Sequence, residues 1–497
     1  MNTTKTKKQT TAMARVVLLG LLMLLPMTVG AQRVLTLDSC RAMALRNNKQ
    51  IGVAKTKQEI NANLRKSART KYLPQVNALG GYTWTSKEIS ILNDEQKSML
   101  GNLGVDVGGA LQNSLAPLVS LLPAPAQAKV GQDLTQLTGL IDQTGQKMKN
   151  AFRTDTRNMF AGGVVVTQPV YMGGAITAAN KIADINEDIA QNSFDAQRQN
   201  TLYHIDQAYW QVVSLRYKQK LAESFLELMK KLNSDVQRLI EEGVATKGDG
   251  LSISVKENDA EIALTKVSDG LALARMLLCQ LCGLPIDETI TLADEVSEDI
   301  AVQEIAVQPD VQQAVANRPE LKLLQNTVNL TQQTTKELKA LNLPQVMLTG
   351  GYAVTNPNTF NGFEKKFGGF WNLGVLVRVP VWNWNDTKYK VRASQGATTI
   401  ANLELADARE KIELQVNQSS FRVNEANKKL AMAKANIAHA EENLRTANIG
   451  FREGFVSTTT VMEAHTTWLS AQSQLIDAEI DVKLSQVELQ KALGTLE

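Results

Sequence analysis

Between Gly450 and Leu493 the chain keeps a seven-residue repeat that few folds accommodate. Val461, Trp468, Leu475, Val482 and Leu489 recur at one position, and Ala464, Ala471, Ala478, Ser485 and Ala492 at another. Large and small residues alternating over about four and a half heptads predict a helix packed closely on its neighbours. A 3.5-residue repeat also predicts left-handed supercoiling, because a straight helix drifts off such a seam. The same pattern lies 211 residues earlier, with Leu264, Leu271 and Leu278 in the first register and Ile253, Ala260, Val267, Ala274 and Leu281 in the second. A single amphipathic helix of a large enzyme does not predict an in-register copy. The chain reads as a duplication, with a first repeat over 32–300 and a second over 301–497.

Other landmarks recur in the same order. Val311 to Glu320 echoes the helix after Leu35-Thr36-Leu37-Asp38, where Thr36 or Asp38 is the candidate N-cap. Tyr72-Leu73-Pro74-Gln75-Val76 matches Asn342-Leu343-Pro344-Gln345-Val346, and each proline ends a helix and starts an extended segment. Those segments alternate. Val76, Ala78, Gly80, Tyr82 and Trp84 share a face, as do Phe160, Gly162, Val164 and Val166; Val346, Leu348, Gly350, Tyr352 and Val354; and Trp371, Leu373, Val375 and Val377. Period-two runs of roughly ten residues with terminal aromatics are the weak signature of a transmembrane β-barrel. Four strands cannot close a barrel, the smallest common one having about eight, and lipid tolerates no open edges. Several copies must therefore share one barrel.

The first strand hairpin, about 75–171, carries an insert of about 88–158 that the second, about 345–380, lacks. From Ser98 to Ala128 the insert is rich in Leu, Gly, Ala and Pro, with Asp106 its only charge. Short helices, a packed cap or a lid over the barrel mouth are its expected forms. After each hairpin a helix of about 68 residues, roughly 100 Å long, runs to a glycine, Gly243 or Gly454, and the heptad helix returns to Gly283 or Gly494.

The first 31 residues read as a secretory signal, with Lys5, Lys7, Lys8 and Arg15 before an apolar run to Leu25 and Val29-Gly30-Ala31 suited to cleavage before Gln32. Without that segment 49 basic residues face 50 acidic ones; the balance and the lack of a dense basic run argue against nucleic acid. Cys279 and Cys282 fall on the heptad helix, where packing is favoured over redox or metal chemistry. His204, His439 and His465 share no ligand spacing, and no catalytic constellation, phosphate loop or cofactor motif is visible.

Taken together, Leu35-Thr36-Leu37 with Ala44-Leu45-x-Asn47-Asn48, the paired Leu-Pro-Gln-Val strand starts at Pro74 and Pro344, Gly243 to Asp249, and Gly454 to Ala464 ahead of the alanine-rich helix resemble the TolC-type outer-membrane efflux proteins. The resemblance covers essentially the whole mature length. It implies a homotrimer with a 12-stranded barrel in outer-membrane lipid, four strands per chain, continued by a periplasmic α-helical coiled-coil barrel. It also implies a passive exit duct for small molecules, joined to an inner-membrane pump through a periplasmic adaptor. On the same fold, an outer-membrane component of type I protein secretion is an alternative; a structural periplasmic coiled coil, with no membrane-spanning strands, is an alternative of a different class. Gly243-Val244-Ala245 and Gly454-Phe455-Val456 match the family's adaptor-docking tips, although glycine also serves simply to permit a turn. Asp249, Thr460 and Glu463 match its periplasmic aperture, with Thr460 standing where an acid is usual. At a helix start the acids also suit the dipole alone.

Overall fold

The computed structural model describes residues 34–497 except 89–90, 153–155, 298–299, 306–307, 309 and 363; the signal segment expected over 1–31 lies outside the described residues. The chain divides into a helical unit (34–63, 184–330 and 397–497) and a sheet unit (64–183 and 331–396). Each draws on both halves of the sequence.

In chain order the elements are β1 (Val34–Leu35), α1 (Leu37–Asn47), α2 (Lys49–Thr70), β2 (Gln75–Trp84), α3 (Asp94–Gly101), α4 (Leu103–Val119), α5 (Ala124–Ala151), β3 (Asn158–Met172), α6 (Ala175–Glu241), α7 (Lys247–Cys282), β4 (Thr291–Leu292), α8 (Ala293–Val296), α9 (Val311–Asn317), α10 (Pro319–Ala340), β5 (Gln345–Asn356), β6 (Gly368–Arg378), α11 (Asp386–Arg452) and α12 (Thr458–Leu493). The long helices α6 and α11 are each 67 residues, and the return helices α7 and α12 are each 36.

In the helical unit the heptad positions form the core. Ile253, Ala260, Leu271, Ala274 and Leu278 of α7 are buried, as are Val461, Ala464, Ala471, Ala478, Val482, Ser485, Leu489 and Ala492 of α12. Alanine at every second seam position admits the neighbouring backbone, while each buried Val or Leu contributes about 1.5–3 kcal/mol. Both return helices end on a glycine with φ 72°, Gly283 and Gly494, in the Schellman arrangement: Leu284 N–H bonds Cys279 O, and Thr495 N–H bonds Gln490 O.

These glycines are constrained a second time, by close approach. A Cβ on Gly283 would sit 2.5 Å from Asn47 Cβ, and one on Gly494 would sit 3.0 Å from Arg318 N. The segments pressed against them close off the helix ends. Asn48 Nδ2 donates to Leu281 O (3.5 Å) and Asn47 Nδ2 to Cys282 O (3.4 Å), while Arg318 donates to Lys491 O (3.1 Å) and Ala492 O (3.3 Å). The last carbonyls of a helix have no partner within it, so the Asn47-Asn48 and Asn317-Arg318 echoes serve the same purpose in the two halves. Thr36, not Asp38, is the N-cap of α1, its hydroxyl accepting from Ser39 N at 3.2 Å.

In the sheet unit the four strands run antiparallel in the order β2-β3-β5-β6. Pairings such as Val76↔Val166, Val166↔Gly350 and Gly350↔Leu373, with Val164↔Tyr352↔Trp371 beside them, put all four apolar series of the sequence on one face. Pro169, which lacks an N–H, coincides with a register shift between β3 and β5. The insert forms the helices α3, α4 and α5, which pack on one another; Gly104, Gly108 and Gly145 sit where any Cβ would fall within about 2.2 Å of the facing helix. Asp142 Oδ1 accepts from Gly104 N at 2.7 Å and fastens that contact.

Candidate functional site

Of the apolar surfaces that the described chain leaves open, two lie on the sheet and at the turns that join the helices. The first is the sheet. Its apolar face is exposed along its length, with Leu373 at mid-strand 77% accessible, beside Val76, Val164, Trp371, Val375 and Val377. The other face is mixed: small or polar residues such as Asn77, Gly81, Gly163, Gly351, Ala353 and Asn372 stand among Leu79, Val165, Phe370 and Leu376. Among the described residues no strand pairs with the outer edge of β2 or of β6.

Aromatic residues mark both ends of the exposed face. At one end Tyr82 and Phe160 lie 4.7 Å apart between ring centroids, with Phe367 6.2 Å beyond. At the other, Trp382 and Trp384 stack edge to face at 5.7 Å. Trp384 and Asn385 adopt φ of 54° and 63°, the same left-handed turn that Gly173 and Gly174 make in the first half. Glycine enters that region freely and tryptophan does not, yet Trp384 is 82% accessible. The turn leaves the indole exposed just beyond the end of β6, against Trp382. Sequence reasoning passed over this pair; the signal was the two-residue substitution of Gly-Gly by Trp-Asn at an otherwise matched position. Among the described residues no helix is long and apolar enough to cross a membrane.

The second region is the pair of turns joining the long and return helices. At Gly243 (φ 77°) Val244 N–H reaches back to Leu239 O, and at Gly454 (φ 80°) Phe455 N–H reaches back to Gly450 O. Each turn then shows one apolar side chain to solvent and tucks the next inward. Val244 is 73% and Phe455 86% accessible, whereas Ala245 and Val456 pack against a single cluster containing Val236, Ile253, Ala447 and Val461. That shared cluster places both tips at one end of the helical unit. Gly450 is needed beneath Val456, since a Cβ there would meet its Cγ2 at 2.5 Å.

Asp249 and Thr460 occupy equivalent positions, the third residue of each return helix. Asp249 completes a capping box: its Oδ2 accepts from Thr246 N (3.0 Å) and Thr246 Oγ1 (2.7 Å), while its own N–H donates to Thr246 Oγ1 at 3.2 Å. The bonds from the Thr246 hydroxyl and N–H hold its carboxyl below the usual carboxylate range. Thr460 N donates to Ser457 Oγ at 3.3 Å and its hydroxyl meets the same oxygen at 3.1 Å. Glu463, one turn further on, is exposed; among the described residues nothing hydrogen-bonds or ion-pairs with its carboxylate. Within one chain the structure thus uses Asp249 and Thr460 for capping and leaves Glu463 as the open charge. Among the described residues no group of three or more His, Cys, Asp or Glu could hold a metal ion.

Beside Glu463, His465 is buried, with Nδ1 lacking a hydrogen-bond partner among the described residues. Burial holds its imidazole neutral, below the ordinary pKa of 6.5. The unfolded chain takes up that proton first, so stability is lost as pH falls below 6.5 and levels off under the lowered folded value. The helix-unfolding midpoint should therefore drop on acidification through that window, and His465→Gln should flatten the drop; an unchanged slope in the variant would refute the assignment.

A family model described as outer membrane efflux protein matches residues 126–284 and 311–495. Outer membrane efflux protein BepC of Brucella suis biovar 1 (strain 1330) is 23% identical over 346 residues, 69% of this chain and 74% of that protein. The fold is similar to the Campylobacter jejuni CmeC outer membrane channel, with a TM-score of 0.70 at 13% identity, covering 93% of this chain and 86% of that one. It is similar too to the open state of the Neisseria gonorrhoeae MtrE outer membrane channel, at 0.68 and 14%, covering 93% and 89%. The chain belongs to the outer membrane efflux protein family, non-enzymatic channels of the outer membrane whose helical part lies in the periplasm.

Proposed function

We propose that three copies of this chain, an internal duplication, close one 12-stranded outer-membrane barrel. Its continuation is a periplasmic helical duct that passively conducts small molecules delivered by an inner-membrane pump through a periplasmic adaptor. The observation that carries this reading is the four-stranded sheet with two unpaired edges and one apolar face, rimmed at both ends by aromatics. In lipid each edge must find a partner, and joining β6 of one copy to β2 of the next satisfies both. The helical unit supports the same assembly. Leu251, Val255, Ile262 and Leu273 along α7, and Leu403, Leu414 and Phe421 along α11, form exposed apolar stripes suited to helices of neighbouring copies. The insert helices α3–α5 start and end at the Trp84–Asn158 edge of the sheet, which supports reading them as a cap of the outer mouth.

The adaptor docks at Gly243-Val244-Ala245 and Gly454-Phe455-Val456, where Val244 and Phe455 are the anchors. Around the threefold axis Glu463, with Asp249 and Thr460 behind it, borders the closed periplasmic aperture. A ring of three Glu463 carboxylates favours cations, and an adaptor binding the open form more tightly shifts the mouth toward opening. Phe455→Asp tests the docking. A desolvated aromatic anchor is worth about 2 kcal/mol or more, so adaptor and pump co-purified after crosslinking should fall more than about tenfold, with the amount of assembled oligomer unchanged. Undiminished recovery of both would reject the tip assignment. The identity of the recovered pump separates small-molecule efflux from protein secretion.

A further inference from the structure

We propose that Cys40 and Cys282 join as an intramolecular disulfide after export, leaving Cys279 as the one free thiol of the chain. The three cysteines, scattered over the sequence, converge in one buried cluster with Tyr209 and Leu278, and all three are fully inaccessible. Cys282 Sγ donates to the Cys40 carbonyl oxygen at 3.8 Å, so the last residue of α7 lies directly against α1. Their approach does not depend on the sulfurs. Asn47 and Asn48, one helix end further along, hold α1 on the last carbonyls of α7, and the contact of Asn47 with Gly283 fixes the distance.

Cys279 is placed differently. Its Sγ bonds Glu288 O at 3.7 Å, and on a continuous helix residues three apart keep their Cβ atoms about 5–6 Å from each other. A disulfide needs about 3.5–4.5 Å, so a Cys279–Cys282 bond would require unwinding the end of α7. The helical part of the protein lies in the periplasm, an oxidising compartment where neighbouring thiols are kept as disulfides.

The oxidant is a disulfide of an exported thiol–disulfide exchange protein, acting before the cluster is buried. One cysteine, as thiolate, attacks a sulfur of that disulfide and forms a mixed disulfide; the second, as thiolate, then displaces the oxidant's sulfur. The chain loses two electrons and two protons, and the oxidant leaves as a dithiol. The bond ties α1 to the end of α7 across 242 positions of sequence and keeps the N-terminal helix seated there.

The test uses the protein recovered from outer-membrane fractions. Thiols are quenched with acid at lysis, alkylated with N-ethylmaleimide in denaturant, and located by peptide mass analysis. The expected result is one adduct, on Cys279, with a Cys40–Cys282 cross-linked peptide that gives way to three adducts after reduction. Cys40→Ser should add a second adduct on Cys282, and Cys279→Ser should leave the cross-link intact. Three adducts without reductant, or a cross-link that contains Cys279, would overturn the proposal. The wild-type count decides the matter even if Cys40→Ser is not assembled.

Discussion

Replacing Arg41 by alanine is expected to destabilise the helical unit by about 3–5 kcal/mol, the range for breaking a buried ion pair from one side. Arg41 donates from Nε to Asp206 Oδ1 (2.8 Å) and from its terminal nitrogen to Oδ2 (2.5 Å), a two-pronged contact that leaves the Asp206 side chain with no accessible surface. Burial pushes the Asp206 carboxyl above the ordinary carboxylate value, and Arg41 opposes that push. Without Arg41 the folded-state pKa rises further. A group with a raised folded pKa gives stability at low pH that is lost as pH rises. The Arg41→Ala deficit should therefore be largest near neutrality and shrink as pH falls toward 3.8, the ordinary value.

The paired change Arg41→Met with Asp206→Leu removes both charges and should recover most of the loss, since apolar replacement of a buried pair is often neutral. Lys218→Ala provides the contrast. Its partner Asp477 is half accessible, and such surface pairs are worth about 1 kcal/mol or less. Helix-unfolding midpoints in detergent across this set test the account; equal losses for Arg41→Ala and Lys218→Ala would contradict it.

Leu373→Lys should be nearly as damaging, through the membrane rather than the core. Leu373 lies mid-strand on the apolar face, opposite Gly350. A lysine facing the bilayer midplane costs about 2–4 kcal/mol, a factor of about 30 or more in the insertion equilibrium. The change should deplete the heat-resistant oligomer in outer-membrane fractions. Asn372→Lys, one residue away on the opposite face, should leave assembly intact and alter conductance. If the two variants assemble equally well, the apolar face does not meet lipid.

Much of this architecture is legible before any coordinates. Most heptad residues from Ile253 to Leu278 and from Val461 to Ala492 are buried, because a 3.5-residue period leaves little choice about which face is covered, while Leu264, Val267, Trp468 and Leu475 stay partly open within one chain. The strand faces at Val76, Val164, Tyr352 and Leu373 follow from period two, and the register then joins them into one surface. The insert's leucines do fold as helices.

What was not legible is contact between distant segments. Nothing local in Asn47-Asn48 or Arg318 says that their side chains close helix ends more than 170 residues away, nor that Cys40 meets Cys282. Nor did the resemblance show that Asp249 and Thr460 sit at capping positions. Spacing marks the residues, while hydrogen-bond geometry says what Asp249 does within one chain.

The central claim is that copies of this chain share one barrel, and the most direct measurement is the oligomer mass of the detergent-purified protein together with single-channel conductance in a planar bilayer. A trimer with small, mostly closed conductance is the predicted result. A monomer that neither inserts nor conducts would contradict the shared barrel and leave the open edges of β2 and β6 without an explanation.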